Sequence, residues 1–181
     1  MTPYSAVVLA SWIVFSLVWR IAALRAKPSR PLGRFTSTGA RLAFVLVVFA
    51  LFRRHELTAL KQTTGPAALV GCVLCDAGIA FMMWARYAIG KNWGMPMSLR
   101  VDPELVTRGP YAFVRHPIYG GMFVTMLGTA LVVPFFTFVL VTAVAYFAYS
   151  AAREERDMLA QFPEQYAAYR KRTKMFLPFL L

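Results

Sequence analysis

The apolar stretch at residues 118–150 constrains the fold of this chain more than any other feature. At about 1.5 Å per residue, one helix of about 33 residues would be about 50 Å long, whereas the hydrocarbon core of a bilayer is about 30 Å thick. Pro134 lies in the middle of the stretch, where it interrupts a helix. The stretch therefore predicts two antiparallel membrane helices with a tight turn near Pro134, rather than one long kinked helix.

The composition places the rest of the chain in a membrane as well. Of the 181 residues, 59% are hydrophobic, and the mean hydropathy is +0.54. A soluble domain of this size cannot hide so much apolar surface from water. The chain has 20 Lys and Arg against 8 Asp and Glu. Because these cations flank apolar blocks, we interpret them as topology signals and as a surface for anionic lipid, not as a nucleic-acid interface.

Five apolar stretches predict five transmembrane helices within a single domain, residues 1–181. The predicted spans cover about residues 4–24, 39–60, 66–89, 117–133 and 134–152. The second span needs tilt or snorkelling arginines to cross. The distribution of cations between spans predicts an outside N-terminus and a cytoplasmic tail, residues 153–181. The predicted fold class is an all-α integral membrane protein whose last two helices form a tight hairpin.

Two cysteines and one carboxylate lie in the third span. Cys72 and Cys75 share one helix face, and we interpret them as packing residues because no further ligand cluster accompanies them. Asp76 is a carboxylate at membrane depth, where a charge is costly. It either forms a structural hydrogen bond with a neighbouring helix or belongs to a site, and the sequence leaves both interpretations open.

Two polar clusters lie at adjoining ends of the last two spans, at residues 108–121 and 153–157. In the first cluster, Pro117 favours a helix start, whose free N–H groups attract anions. Arg115 adds a guanidinium suited to carboxylates. His116 and Tyr119 share one face of this helix. The predicted hairpin returns the second cluster to the same side of the membrane as the first.

The second cluster offers carboxylates, Glu154 and Glu155, for an ammonium group or for ribose hydroxyls. An amino-acid moiety carries an α-carboxylate and an α-ammonium, and it needs both kinds of complement. The two clusters together supply this pair. The alternative is a salt-bridged helix exit without a function.

Three motifs resemble the isoprenylcysteine carboxyl methyltransferase family and the wider group of membrane phospholipid methyltransferases. They are Leu-Val-Thr-Arg-Gly-Pro-Tyr-Ala-Phe-Val-Arg-His-Pro-Ile-Tyr-Gly at 105–120, the pair Glu154 and Glu155, and Tyr-Ala-Ala-Tyr-Arg-Lys-Arg-Thr at 166–173 with Leu-Pro at 177–178. Gly-Lys-Asn-Trp at 90–93 also looks like the family's stretch before the first motif. The resemblance covers about residues 84–181 and is more specific for the superfamily than for its substrate.

The resemblance implies an S-adenosylmethionine-dependent membrane enzyme with a cytosolic cofactor pocket. The residues implied to line or shape this pocket are Gly109, Tyr111, Arg115, His116, Pro117, Tyr119, Glu154 and Glu155. We expect substrate-side contacts from Asn92, Trp93 and Arg170, with a lipid-phosphate anchor as an equal alternative for Arg170. Glu154, Glu155 and Arg170 are the catalytic candidates, none firmly assigned, since a base is needed only for an amine acceptor.

The expected reaction is methyl transfer to a lipid-like acceptor, first the carboxylate of a prenylcysteine-type substrate and alternatively a phospholipid amine. Two other classes are an NADPH-dependent membrane reductase of the sterol type and a non-enzymatic transporter or scaffold. The sequence shows no second phosphate-binding cluster for NADPH and no internal repeat. We expect membrane lipids and a lipid-like or prenylated substrate as partners, and no metal, nucleic acid or obligate protein partner.

Overall fold

The computed structural model describes residues 1–24, 61–94 and 104–176, the single residues 26, 42, 46 and 50, and two strands at 29–31 and 98–100. Its α-helices are α1 (Pro3–Ala23), α2 (Pro66–Ile89), α3 (Pro117–Val132), α4 (Phe136–Gln161) and α5 (Pro163–Arg172). Short 3-10 helices cover Gly90–Asn92 and Gly109–Ala112. The fold is helical as expected, but it adds one antiparallel pair of strands that the all-α prediction lacks, β1 (Ser29–Pro31) and β2 (Ser98–Arg100).

Three of the described helices are long and apolar enough to cross a membrane. They are α1, α2 together with the turn that follows it, and α4. The fourth apolar helix, α3, has 16 residues. Large apolar side chains of α1, such as Leu9, Val14 and Leu17, are exposed. An apolar outer face on a helix of this length suits lipid as its solvent, so the chain is an integral membrane protein.

Four predicted spans coincide with helices. The prediction for residues 66–89 matches α2, the prediction for 4–24 differs from α1 by one residue at each end, and that for 117–133 differs from α3 by one residue at its end. The predicted turn near Pro134 is present between α3 and α4. However, α4 continues to Gln161, well past the predicted end of its span. The predicted second span, residues 39–60, lies outside the described residues apart from single positions, so the five-helix count stays a prediction.

Glycines allow α2 and α3 to approach each other closely. A Cβ atom added to Gly71 would lie 2.7 Å from the carbonyl oxygen of Gly128, and one added to Gly121 would lie 2.6 Å from Met82 Cγ. Small residues allow membrane helices to gain van der Waals contact where lipid supplies no hydrophobic driving force. This contact fixes α3, which begins directly after His116, against α2.

The two cysteines are packing residues, as the sequence suggested. Both thiols are free and buried in α2. The Sγ atom of Cys75 lies 3.8 Å from the Thr129 hydroxyl of α3, and Trp12 Nε1 of α1 donates to that hydroxyl at 3.0 Å. Three helices therefore meet at this point, whereas Asp76 is exposed on α2 and lies outside the contact.

The chain after α5 returns to the start of α3. Val114 and Lys174 form a parallel bridge. The backbone N–H of Arg115 donates to the carbonyl of Lys174 at 2.8 Å, and that of His116 donates to the carbonyl of Met175 at 2.9 Å. This pairing brings α5 and the residues that follow it against the first polar cluster.

Candidate active site

The two polar clusters predicted from the sequence are in contact. Tyr119, in the first turn of α3, donates its hydroxyl to Glu154 Oε1 on α4 at 2.7 Å. Ser150, one turn earlier on α4, donates to the same oxygen at 3.2 Å. His116 Nδ1 lies 3.7 Å from Glu154 Oε2. The hairpin thus closes around the carboxylate of Glu154, which gains two hydroxyl donors.

The imidazole of His116 lies between two carboxylates. Its Nε2 atom is 3.6 Å from Glu155 Oε1, and its Nδ1 atom faces Glu154. The imidazole stacks on the Tyr119 ring, with 5.4 Å between the centroids and an interplanar angle of 3°. Nε2 is buried and has no hydrogen-bond partner within the part of the chain that the structure describes. Stacking fixes the plane of the imidazole, and the carboxylates lie at its edges.

The carboxylate of Glu155, next to His116, also lies within salt-bridge distance of two arginines. Arg115 Nε donates to Glu155 Oε1 at 2.6 Å, and Arg170 Nε lies 3.4 Å from Glu155 Oε2. A terminal nitrogen of Arg115 also donates to the backbone carbonyls of Arg170 and Thr173. The side chains of Arg115 and Glu155 are only 8% and 5% exposed. The guanidinium of Arg115, expected to bind a ligand anion, therefore already has several partners inside the protein.

A cavity of about 340 Å³ opens beside the cluster, and we call it the aromatic cavity. Its aromatic lining residues include Phe15, Trp19, Trp93, Tyr111, Tyr119 and Phe147. Seven residues predicted from the sequence line this cavity: Asn92, Trp93, Tyr111, Arg115, His116, Tyr119 and Glu154. Gly109, Pro117 and Glu155 are not among its lining residues, and Arg170 lines a second cavity.

Gly109 and Pro117 lie in the backbone around the cavity. Gly109 has a φ of +61°, and a Cβ atom there would lie 3.0 Å from Ala88 Cβ of α2, so this turn favours glycine. Pro117 is buried at the first position of α3, where its missing N–H is not needed. The hydroxyl of Tyr169 donates to the Tyr111 carbonyl at 2.6 Å. Burial raises the pKa of Tyr169, which keeps this donor protonated.

A buried arginine fixes the aromatic wall on the opposite side. Arg86 donates to the carbonyl of Ala22 at 2.6 Å and to that of Gly90 at 2.7 Å. Its guanidinium lies 4.9 Å from the centroid of the Trp93 ring. Trp93 in turn meets Trp19 edge to face, with centroids 5.5 Å apart. The end of α1, the end of α2 and the loop after α2 are joined through this one side chain.

Several cavity residues were missed from the sequence. Asp157 lines the cavity, and its Oδ2 atom is buried without a hydrogen-bond partner among the described residues. Asp157 lies three residues after Glu154 and Ser150 four before it, so helical spacing could have found both. Phe15 and Trp19 also line the cavity. Nothing in the sequence links these two α1 residues to the later motifs.

The aromatic cavity is acidic although the chain has a formal net charge of +12. Its lining carboxylates are Glu104, Glu154 and Asp157. Among the lining residues that the structure describes, Arg115 carries the guanidinium, and it is already paired with Glu155. Such a lining favours a ligand that carries positive charge and hydrogen-bond donors.

Comparison with known proteins bears on the same region of the chain. The family model for phospholipid methyltransferases matches residues 66–165, more than half of the chain. A protein-S-isoprenylcysteine O-methyltransferase from Mus musculus is 32% identical over 126 residues, which are 67% of this chain and 44% of that protein. The nickel-cobalt-cadmium resistance protein NccN from Alcaligenes xylosoxydans xylosoxydans is 36% identical over 94 residues, 50% of this chain and 44% of that one. The chain spans less than half the length of the curated relatives it matches.

A solved structure shares the fold. It is a eukaryotic intramembrane Ras methyltransferase, an isoprenylcysteine carboxyl methyltransferase, with a TM-score of 0.54 and 23% sequence identity. The match covers 81% of this chain and 53% of the other. At this level of identity the match shows a common membrane fold.

Proposed function

The chain belongs to the phospholipid methyltransferase family, and on this premise we propose that it transfers a methyl group from S-adenosylmethionine to a lipid-like acceptor. The first acceptor that we propose is the carboxylate of a prenylcysteine-type substrate. The observation that carries the proposal is the acidic, aromatic cavity around Glu154 in an otherwise basic chain. This lining suits a methyl donor with an ammonium and a sulfonium group, and it disfavours the phosphates of NADPH.

The residues of the aromatic cavity fit such a donor. Glu154, already oriented by Tyr119 and Ser150, provides negative charge for an ammonium group. Asp157 lies about 4.5 Å further along the axis of α4, toward its polar end, at about 1.5 Å per residue. We propose that its buried, unpartnered Oδ2 accepts a hydrogen bond from a ribose hydroxyl, as carboxylates do in other nucleotide sites. The aromatic rings provide apolar surface for the remainder of the donor.

The protein's contribution to the chemistry is to align groups and exclude water. S-adenosylmethionine, when bound, supplies a methyl group on a sulfonium sulfur. An in-line transfer of that methyl group would depend on alignment and on a dry site, which the residues of this chain would provide. Phe15, Trp19 and Phe147 line the same cavity and belong to helices long enough to cross the membrane. They provide an apolar wall against which the lipid-like part of an acceptor can lie.

A carboxylate acceptor needs no base, because it is already a nucleophile at neutral pH. We therefore propose no proton transfer by Glu154, Glu155 or Arg170 for a prenylcysteine-type acceptor. Glu155 acts in this proposal as a positioning residue that holds Arg115, Arg170 and His116.

The second candidate is a phospholipid amine, which the acidic lining specifically favours. An ammonium headgroup is attracted by Glu104, Glu154 and Asp157. It must lose a proton before it can attack, and Asp157 is the lining carboxylate with an unpartnered buried oxygen among the described residues. In this case Asp157 would act as the base.

The membrane arrangement is also part of the proposal. We propose five spans, with the N-terminus outside and the aromatic cavity at the cytoplasmic surface. The basis is the distribution of cations in the sequence and the continuation of α4 into its polar end at Gln161. A cysteine-labelling scan of the polar loops from each side of the membrane tests this orientation.

An acceptor screen tests the function. Detergent-purified protein is incubated with methyl-labelled S-adenosylmethionine and either a farnesylated cysteine derivative with a free carboxylate or phosphatidylethanolamine. The carboxamide of the cysteine derivative is the matched control for the first acceptor. We expect label in the free carboxylate and none in the carboxamide, and at least a tenfold loss of turnover in His116→Ala. Label in the phospholipid alone would select the second candidate, and label in neither would reject both.

A further inference from the structure

A second cavity, of about 300 Å³, shares Arg115 with the aromatic cavity. We call it the basic cavity, and its lining residues are Arg115, Arg170, Lys171, Arg172, Thr173, Lys174 and Met175. Five of these seven described residues are Lys or Arg, and none of the seven is acidic. A concave surface with this composition binds an anion.

The backbone of the basic cavity is held in place before any ligand arrives. Arg115 is buried, paired with Glu155, and bonded to carbonyls at the end of α5. Thr173 is buried and donates its hydroxyl to the Tyr169 carbonyl at 2.7 Å. The bridge between Val114 and Lys174 fixes the next residues. Because these groups are already ordered, a ligand meets a formed site and little entropy is lost in shaping it.

The cations around this rigid base face outward. Lys171, Arg172 and Lys174 are exposed, and the side chain of Arg170 is 52% exposed. Arg170 is also within 3.4 Å of Glu155. Lys171, Arg172 and Lys174 are thus exposed to solvent in one place, and the described lining residues beside them include no acidic residue. A phosphate group matches them because guanidinium and ammonium groups bind its oxygens with charge-assisted hydrogen bonds.

The basic cavity lies where the chain passes from polar to apolar surroundings. Directly after it, the Phe176 ring meets Phe123 of α3 with centroids 5.4 Å apart, and meets His116 at 5.9 Å. The helix α3 is a predominantly apolar helix of 16 residues. Cations at the end of such a helix suit the depth of lipid headgroups, where an anionic surface attracts Lys and Arg.

We propose that the basic cavity binds the phosphate of an anionic membrane lipid and so holds α5 against the membrane surface. A soluble phosphate has the same binding chemistry, but the depth of the site selects the lipid. The proposal does not depend on methyl transfer, since none of Lys171, Arg172 and Lys174 lines the aromatic cavity.

Lipid binding by the full chain in a neutral detergent tests the proposal. Fluorescent phosphatidylglycerol is the probe, and fluorescent phosphatidylcholine, which has no net charge, is the comparison. We expect phosphatidylglycerol to bind the wild type saturably, and at least tenfold more weakly to the triple variant Lys171→Gln, Arg172→Gln and Lys174→Gln. The control triple variant, Arg20→Gln, Lys61→Gln and Lys91→Gln, removes the same charge from exposed positions elsewhere and should change the affinity by less than twofold.

Each other outcome overturns the proposal. Equal losses in both triple variants would show that net charge alone attracts the lipid, and equal retention would show that the basic cavity does not bind it. Equal binding of phosphatidylcholine would remove the role of the anion. Displacement of the probe by millimolar inorganic phosphate would assign the cavity to a soluble ligand instead. If the first triple variant fails to fold, Lys171→Gln alone decides, with about a threefold loss expected.

Discussion

The aromatic cavity and the basic cavity share Arg115 but have opposite charge. Glu104, Glu154 and Asp157 line the aromatic cavity, whereas the described lining of the basic cavity has five cations and no carboxylate. Glu155 lies between them, bonded to Arg115 and within salt-bridge distance of Arg170. One buried ion-pair cluster therefore separates a site suited to a cationic ligand from a site suited to an anionic one.

The difference shows that the net charge of a chain does not predict the charge of an individual cavity. The cations of this chain dominate its composition, but Glu155 takes up the guanidinium of Arg115 that both cavities share. Lys171, Arg172 and Lys174 of the basic cavity, in contrast, are exposed, as the proposed binding of an anionic lipid requires.

The largest effect should come from a change that removes the support of both cavities. A side chain on Gly128 would collide with the backbone of Gly71 and Cys75 on α2. Gly128→Leu should therefore cost at least about 1–3 kcal/mol of stability, typical of overpacking, and weaken both ligands. Thermal unfolding of the detergent-purified protein measures this, with Ala80→Leu on the exposed side of α2 as control. Equal melting temperatures for the two variants would refute the close contact.

A smaller effect, confined to the aromatic cavity, is expected for Glu154→Gln. The amide keeps an oxygen for the hydroxyls of Tyr119 and Ser150 but loses the negative charge. Binding of S-adenosylmethionine, measured by calorimetry, should weaken at least tenfold while phosphatidylglycerol binding stays the same. Glu164→Gln on α5 makes the same charge change at an exposed position and should alter neither. A parallel loss in both cavities would mean that they are not electrostatically separate.

The shared arginine should affect both cavities at once. Lysine at position 115 keeps the positive charge but lacks the guanidinium fork. It therefore cannot donate at the same time to Glu155 and to the backbone carbonyls of Arg170 and Thr173. Arg115→Lys should weaken S-adenosylmethionine and phosphatidylglycerol each by about fivefold. Calorimetry with S-adenosylmethionine and titration with fluorescent phosphatidylglycerol measure the two affinities. A change in only one of them would show that Arg115 serves a single cavity.

The smallest effect distinguishes roles within the aromatic cavity. Asp157→Asn should weaken S-adenosylmethionine and S-adenosylhomocysteine equally, by about threefold, because both carry the ribose that we assign to Asp157. Only the first ligand carries the sulfonium charge. A loss confined to S-adenosylmethionine would place Asp157 against the sulfonium, and unchanged binding with lost amine methylation would make it a base.

Most of the described helices could be predicted from the sequence because each follows from a local property. Runs of apolar residues located α1, α2 and α3, and Pro134 located the turn of the hairpin. The end of α4 was misjudged because the change from apolar to charged residues marks the exit from lipid, whereas the helix itself continues through good helix formers. The strand pair was missed because three-residue strands leave no periodic pattern.

The residues of the candidate site were predictable where they lie on one helix or within one motif. His116, Tyr119 and Glu154 follow from helical spacing and from the hairpin, and the family resemblance is confirmed by the family match. The contribution of α1 was not predictable, since contact between Trp19 and Trp93 depends on Arg86 joining distant segments. The pairing of Arg115 with Glu155 was one of several options open to that carboxylate, and only the fold selects among them.

Calorimetric titration of the wild-type protein with S-adenosylmethionine and, separately, with NADPH tests the central claim most directly. The acidic lining of the aromatic cavity predicts saturable binding of S-adenosylmethionine and none of NADPH at the same concentrations. Binding of NADPH without S-adenosylmethionine by well-folded protein would contradict the account and favour a reductase.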